Sequence, residues 1–170
     1  VYSSENGSNS TKQLCLPDMY AGTQTKLVLP VFAIDEAEGY AFSLDIFRNT
    51  DASSKAAEGI RVYASNSTNI DDAIELAFIS RNYSVANGAI PAESASGWYN
   101  YEVNIPLSGN VFIIIRGESQ YGSATYMDNF KVRKLPDCRK LSVNVSNVET
   151  TSAVVNFNSV AVAQNYQVVV

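Results

Sequence analysis

The sequence predicts an all-β fold, a two-sheet antiparallel sandwich, and three observations predict it. Short apolar stretches recur about every ten residues with turn residues between them. Within those stretches apolar and polar residues alternate, the period of a half-buried strand. Ten Tyr, seven Phe and repeated Val, Ile and Thr suit a pleated surface better than a helix, and no amphipathic helix of ten residues or so can be traced.

The polar opening, Ser3 to Thr11, reads as a loose end, and nothing before Gln13 reads as a first strand. Strands are expected near 13–16, 26–32, 40–47, 60–65, 74–80, 98–105, 111–116 and 126–133. In 40–47, Phe42, Leu44 and Ile46 share one face while Ser43 and Asp45 take the other; Ile74, Leu76 and Phe78 alternate likewise, as do Tyr99, Tyr101, Val103 and Ile105. Val111-Phe112-Ile113-Ile114-Ile115 is apolar on both faces, which marks a central strand covered on both sides. Asn69-Ile70-Asp71-Asp72-Ala73 reads as one turn capped by Asn69. Eight strands without helices give the sandwich.

A boundary is expected at Leu135-Pro136-Asp137-Cys138, dividing the chain into domains 1–135 and 136–170. Alternation restarts at Leu141, Val143 and Val145, continues in 152–158 and ends in 163–170. Three strands cannot bury both faces of a sandwich, so the native chain is expected to continue past Val170, or these strands to pack on something else. The first domain is expected to be cut at its start as well.

Composition removes several function classes. There is no His in the chain, which excludes His-based general-base catalysis, the Ser-His-Asp and Cys-His nucleophiles, and most zinc sites. A net charge of -5 argues against a nucleic-acid partner. The basic run Lys131, Arg133, Lys134, Arg139 and Lys140 is either an anion patch or a solvated strand end and linker. No apolar run approaches the roughly 20 residues of a membrane helix, and the polar start, Val1 to Gly7, is no signal peptide, so any signal or anchor was removed or lies elsewhere. Cys15 and Cys138 could pair in a disulfide or stand as separate thiols, Cys15 in a strand and Cys138 in a linker.

Three segments carry a resemblance: Gly97-Trp98-Tyr99-Asn100-Tyr101-Glu102-Val103, then Gly109 to Gly117, then Tyr126-Met127-Asp128-Asn129-Phe130-Lys131-Val132. In order and spacing they resemble the closing half of the cleaved-adhesin family, MAM-like jelly rolls of bacterial surface proteins, and Leu27-Val28-Leu29-Pro30 and Tyr40 to Leu44 look like that family's earlier strands. From Pro136 on, Ser152 to Phe157 and Ala163 to Val168 are similar to the start of a fibronectin type III domain, with Phe157 where that family carries Trp. The resemblance implies an antiparallel jelly-roll β-sandwich plus a partial Ig-like (fibronectin type III) sandwich. It further implies structural calcium and a non-catalytic adhesion or carbohydrate-recognition module of a larger, secreted or cell-surface bacterial protein, with a glycan or host-surface protein as partner. The alternative is a structural spacer of a secreted protease or glycoside hydrolase.

Asp128 is the expected metal ligand. Alternation puts Tyr126, Asp128, Phe130 and Val132 on one face, where a carboxylate is costly unless a cation or donors meet it. Calcium suits it by oxygen chemistry, and the resemblance implies a calcium ligand at this aspartate. Backbone N–H groups, an arginine, or the ammonium of Lys26 are the alternatives. The acidic turn Asp35 to Gly39 lacks calcium-loop spacing and reads as solvated, as do Asp71, Asp72 and Glu75. Tyr121, among Gly, Ser and Gln, is the candidate ligand-binding residue at an exposed tip, whereas Trp98 reads as packed against the sandwich. The Asn66-Ser67-Thr68 and Asn82-Tyr83-Ser84 glycosylation patterns carry no meaning in a bacterial reading.

Overall fold

A computed structural model describes residues 2–4, 8, 12–17, 20–50, 57–136, 143–147, 149, 150, 152 and 154–157. The chain forms two compact units, Val1–Lys134 and Leu135–Val170. Among the described residues ten strands belong to the first: β1 (Tyr2–Ser4), β2 (Gln13–Leu16), β3 (Gln24–Val28), β4 (Phe32–Ile34), β5 (Tyr40–Arg48), β6 (Gly59–Ser65), β7 (Ile74–Ser80), β8 (Gly97–Ile105), β9 (Gly109–Glu118) and β10 (Thr125–Lys134). The described part of the second unit is an antiparallel hairpin of β11 (Val143–Ser146) and β12 (Val154–Phe157). The strand expected in 163–170 lies outside the described residues.

Two antiparallel sheets make the first unit. One runs β1-β2-β10-β5-β8, the other β3-β9-β6-β7 with β4 also on β9. Their inner faces share one core: Phe42, Leu44 and Ile46 of β5, Tyr101 and Ile105 of β8 and Met127 of β10 meet Ile60, Val62 and Ala64 of β6 and Val111, Ile113 and Ile115 of β9. This is the all-β sandwich that alternation predicts. β9 is central in its sheet, and Ile114, on its outer side, is buried like Ile113 and Ile115.

Two local features differ from expectation. A strand does precede Gln13, since β1 pairs with β2. The stretch expected as one strand at 26–32 is two, both on β9, because Pro30 has no N–H to give and the ladder lapses between the Leu29 N–H bond to Ile113 and Phe32 opposite Val111. Tyr63, in the strand expected at 60–65, lies inside β6 and is buried. The turn at 69–73 closes as expected, with the Asn69 side chain accepting from the Asp71 N–H at 3.2 Å.

Arg48 is the one arginine on the core face of β5, following Phe42, Leu44 and Ile46, and it is fully buried. Burial of a guanidinium is tolerable only when its donors are met. Here they bond the carbonyls of Ser80, Asn82, Val85 and Pro91 at 2.6–2.9 Å and the Tyr101 hydroxyl at 2.6 Å. Tyr101 in turn donates to Glu93 at 2.9 Å. Burial raises the Tyr101 hydroxyl's pKa above the ordinary value, against the opposing Arg48 bond and with help from Glu93. Arg48 thus anchors the long β7–β8 connection to the sandwich.

Candidate functional site

The outward face of the first sheet carries side chains in rows that cross the strands. Phe47 of β5 faces Trp98 of β8, and the rings meet edge to face at 5.6 Å. Met127 pairs with Ile46, so Tyr126 of β10 stands next in this row, and Gln13, Phe47, Trp98 and Tyr126 line one shallow depression. The adjacent row is polar: Asp128 faces Asp45, and Asp45 faces Asn100. Beyond it Lys131 faces Ser43, which faces Glu102. An open groove of about 500 Å³ has Asp45, Ser43, Asn100 and Asn129 for its floor, Trp98 at one end, and Glu102, Lys131 and Arg133 at its rim.

Two like charges directly opposite repel unless donors meet them. Asp45 is 7% exposed and accepts from the side-chain amides of Asn100 and Asn129, each at 2.7 Å. Burial pushes its pKa up, but the bonds from Asn129, Ser8 and Asn100 and the nearby Lys131 charge outweigh this, and the net value lies below the ordinary carboxylate value. Asp128 accepts from the Ser8 N–H at 2.9 Å and from the Asn129 N–H at 2.8 Å.

The placement of Asp128 corrects the alternation argument. Between the pairs Asp128–Asp45 and Lys131–Ser43, β10 has two residues where β5 has one. This is a β-bulge, and Asn129 sits in it with φ 51°, a left-handed conformation that Asn tolerates. The extra residue changes the phase. Tyr126 and Asp128 point outward, while Phe130 and Val132 turn to the core, Phe130 stacking on Phe42 at 6.4 Å. The four residues expected on one face are split between two. Lys26 stands in β3, opposite Arg116 on the other sheet, so the structure does not bring it to Asp128.

Calcium takes six to eight oxygens, mostly carboxylate and carbonyl. Asp45 and Asp128 on neighbouring strands, with the side-chain oxygens of Asn100, Asn129 and Ser8 beside them, are of the right chemistry, although N–H donors now meet both carboxylates. Among the described residues no three or more His, Cys, Asp or Glu side chains gather to hold an ion.

Tyr121 lies at the opposite kind of place, a loop end, and is 63% exposed. Its ring meets that of Tyr20, itself 75% exposed, edge to face at 5.7 Å. Trp98, read as a packing residue, packs on Phe47 but lines the groove. Cys15 is a buried thiol on β2, and Cys138 lies outside the described residues, as do Arg139 and Lys140 of the basic run. Of that run, Arg133 pairs with Glu102 at 2.7 Å and Lys134 with Asp35 at 3.1 Å, both exposed.

Asp45, Asn100, Phe47 and Tyr20 were not singled out by sequence. The alternation of Phe42 to Phe47 does place Asp45 and Phe47 outward. What it lacks is the register that brings Asn100 and Trp98 alongside them.

No family model matches the sequence, and neither does any curated protein. Among solved structures, the K1 cleaved adhesin domain of Lys-gingipain from Porphyromonas gingivalis W83 is similar, with a TM-score of 0.56 and 14% identity over 76% of this chain and 78% of that one. The K3 cleaved adhesin domain of the same protease is similar too, with a TM-score of 0.52 and 17% identity over 75% and 76%. At such identity the likeness carries the fold alone, and that fold is cleaved-adhesin-like.

Proposed function

We propose that this chain is a non-catalytic adhesion module that recognises a saccharide in the groove on the outer face of its first sheet. One observation carries the reading: the polar floor of Asp45, Asn100 and Asn129 runs directly into the aromatic row of Trp98, Phe47 and Tyr126. A sugar ring has an apolar face that stacks on an aromatic ring, and hydroxyl pairs that amide and carboxylate groups meet. The donors that hold Asp45 also orient Asn100 and Asn129, so their carbonyl oxygens are set before any ligand arrives. The absence of His from the sequence supports a binding rather than a catalytic role.

The adhesin likeness supports an extracellular or cell-surface setting within a larger bacterial protein, and the sequence resemblance from Pro136 on supports a partial fibronectin type III-like domain over 136–170. No helix among the described residues is long and apolar enough to cross a membrane. Calcium belongs to this proposal as a structural ion drawing on Asp128 and Asp45. Calorimetric titration with calcium should then show binding that Asp128→Asn abolishes, and EDTA should lower the melting temperature; no heat and no shift would remove the ion from the account.

A glycan-array screen of the intact chain, with and without EDTA, tests recognition. Binding to a defined saccharide class that Trp98→Ala removes is the expected outcome. A blank array would leave the spacer role instead.

A further inference from the structure

The loop end that carries Tyr121 is held by a buried carboxylate. Glu58 is 2% exposed, and its Oε2 accepts from Arg81 Nε at 2.9 Å and Nη2 at 2.6 Å. Its Oε1 accepts from the backbone N–H groups of Gln120 at 3.3 Å and Gly122 at 2.8 Å, the two residues flanking Tyr121. Gly122 is required there, because a Cβ would fall 1.7 Å from Glu58 Oε2. Between these two anchored amides Tyr121 adopts φ 63°, a left-handed conformation unfavourable for any residue with a Cβ. A second loop is tied alongside: the Gly22 N–H bonds the Ser119 carbonyl at 2.9 Å, the Ser119 N–H bonds that of Thr23 at 3.2 Å, and Thr23 bonds back to Tyr20 at 2.9 Å.

A buried ion pair is weak support for stability and a left-handed tyrosine is a strain. Both here serve one result, two largely exposed tyrosine rings fixed nearly perpendicular, at 85°. We infer that Tyr20 and Tyr121 form a second saccharide contact, independent of the groove, in which one ring stacks on the apolar face of a neutral sugar and the other walls it. Neutrality follows from the surroundings. Thr23, Ser119, Gln120 and Ser123 border the rings in sequence, while among the described residues the nearby acids are committed, Glu58 to Arg81 and Glu118 to Arg61 and Arg116. Hydroxyl and amide groups beside flat rings suit a pyranose. The inference rests on the chain being a saccharide binder but not on the groove being where it binds.

The test is an NMR titration of the whole chain with neutral hexose and N-acetylhexosamine oligomers, read at backbone amides. The amides of Gly22, Gln120 and Gly122 should shift on saturation. Tyr20→Ala and Tyr121→Ala should each weaken that binding about tenfold, Tyr121→Trp should restore it, and Trp98→Ala should leave it unchanged. Tyr121→Gly keeps the test independent of folding: glycine adopts this φ freely, so the variant should melt no lower than the native protein yet lose the contact. Unmoved loop amides, binding that survives Tyr121→Gly, or loss of the loop shifts in Trp98→Ala would each overturn the inference. Shifts at these loops with none at Asn100 and Asn129 would instead support it while refuting the groove.

Discussion

Asp45 combines burial with a full set of donors, and that combination makes it sensitive to acid. Because its folded pKa lies below the ordinary value, it stabilises the protein fully above the unfolded value of about 3.9, and that contribution fades as pH falls through the folded value. Asp45→Asn turns an acceptor into a group with its own N–H toward Asn100 and Asn129, at a cost of ~1–3 kcal/mol near neutral pH. Melting curves across pH should show the native and Asp45→Asn proteins converging below about pH 4; a gap that persists unchanged in acid would refute the assignment. The two phenylalanines of β5 make a second contrast. Phe42 is fully buried on the core face, so Phe42→Ala should cost roughly 3–5 kcal/mol in urea unfolding. Phe47 is only half-buried on the outer face, and Phe47→Ala should cost clearly less while weakening saccharide binding.

At the scale of elements, two devices shape the site. The bulge in β10 turns Asp128 outward and Phe130 inward within three residues. Its trace is present in the sequence: the apolar residues Met127, Phe130 and Val132 are spaced by three and then two, and Asn129, a residue at ease in left-handed backbone, fills the wider gap. A strict period of two cannot represent that extra residue, so the sheet face of Asp128 was misread although the strand was placed. Arg48 is the other device. Replacing it with Met leaves three loop carbonyls and that of Ser80, at the end of β7, without their donor, an expected loss of about 3 kcal/mol. Limited proteolysis of Arg48→Met should cut faster within 82–96 than the native chain; equal rates would show that the loop does not depend on it. Nothing in the β5 sequence announces this role, because Arg48 ends an alternating strand where a solvated tip is the ordinary expectation.

For the molecule as a whole, period-two patterning closed into two facing sheets was legible because burial of one face leaves its mark at every second residue of the β5 and β8 sequences, and cover on both sides leaves β9 apolar throughout. The rows that cross the strands were not, since they depend on which strands lie side by side, and β10 reaches β5 across most of the chain. The proposed recognition therefore depends on register: Trp98, Phe47 and Tyr126 lie in one row, and Asp45, Asn100 and Asn129 beside them, only through the order β10-β5-β8. The most direct measurement is the site of saccharide contact, mapped by side-chain and backbone NMR shifts with an array-positive sugar. Shifts of the Trp98 indole N–H and of the Asn100 and Asn129 side-chain amides, the amide shifts being lost in Trp98→Ala, are the predicted result. A sugar that binds while these groups stay unmoved, with its shifts confined to β3, β6, β7 and β9 of the second sheet, would contradict it.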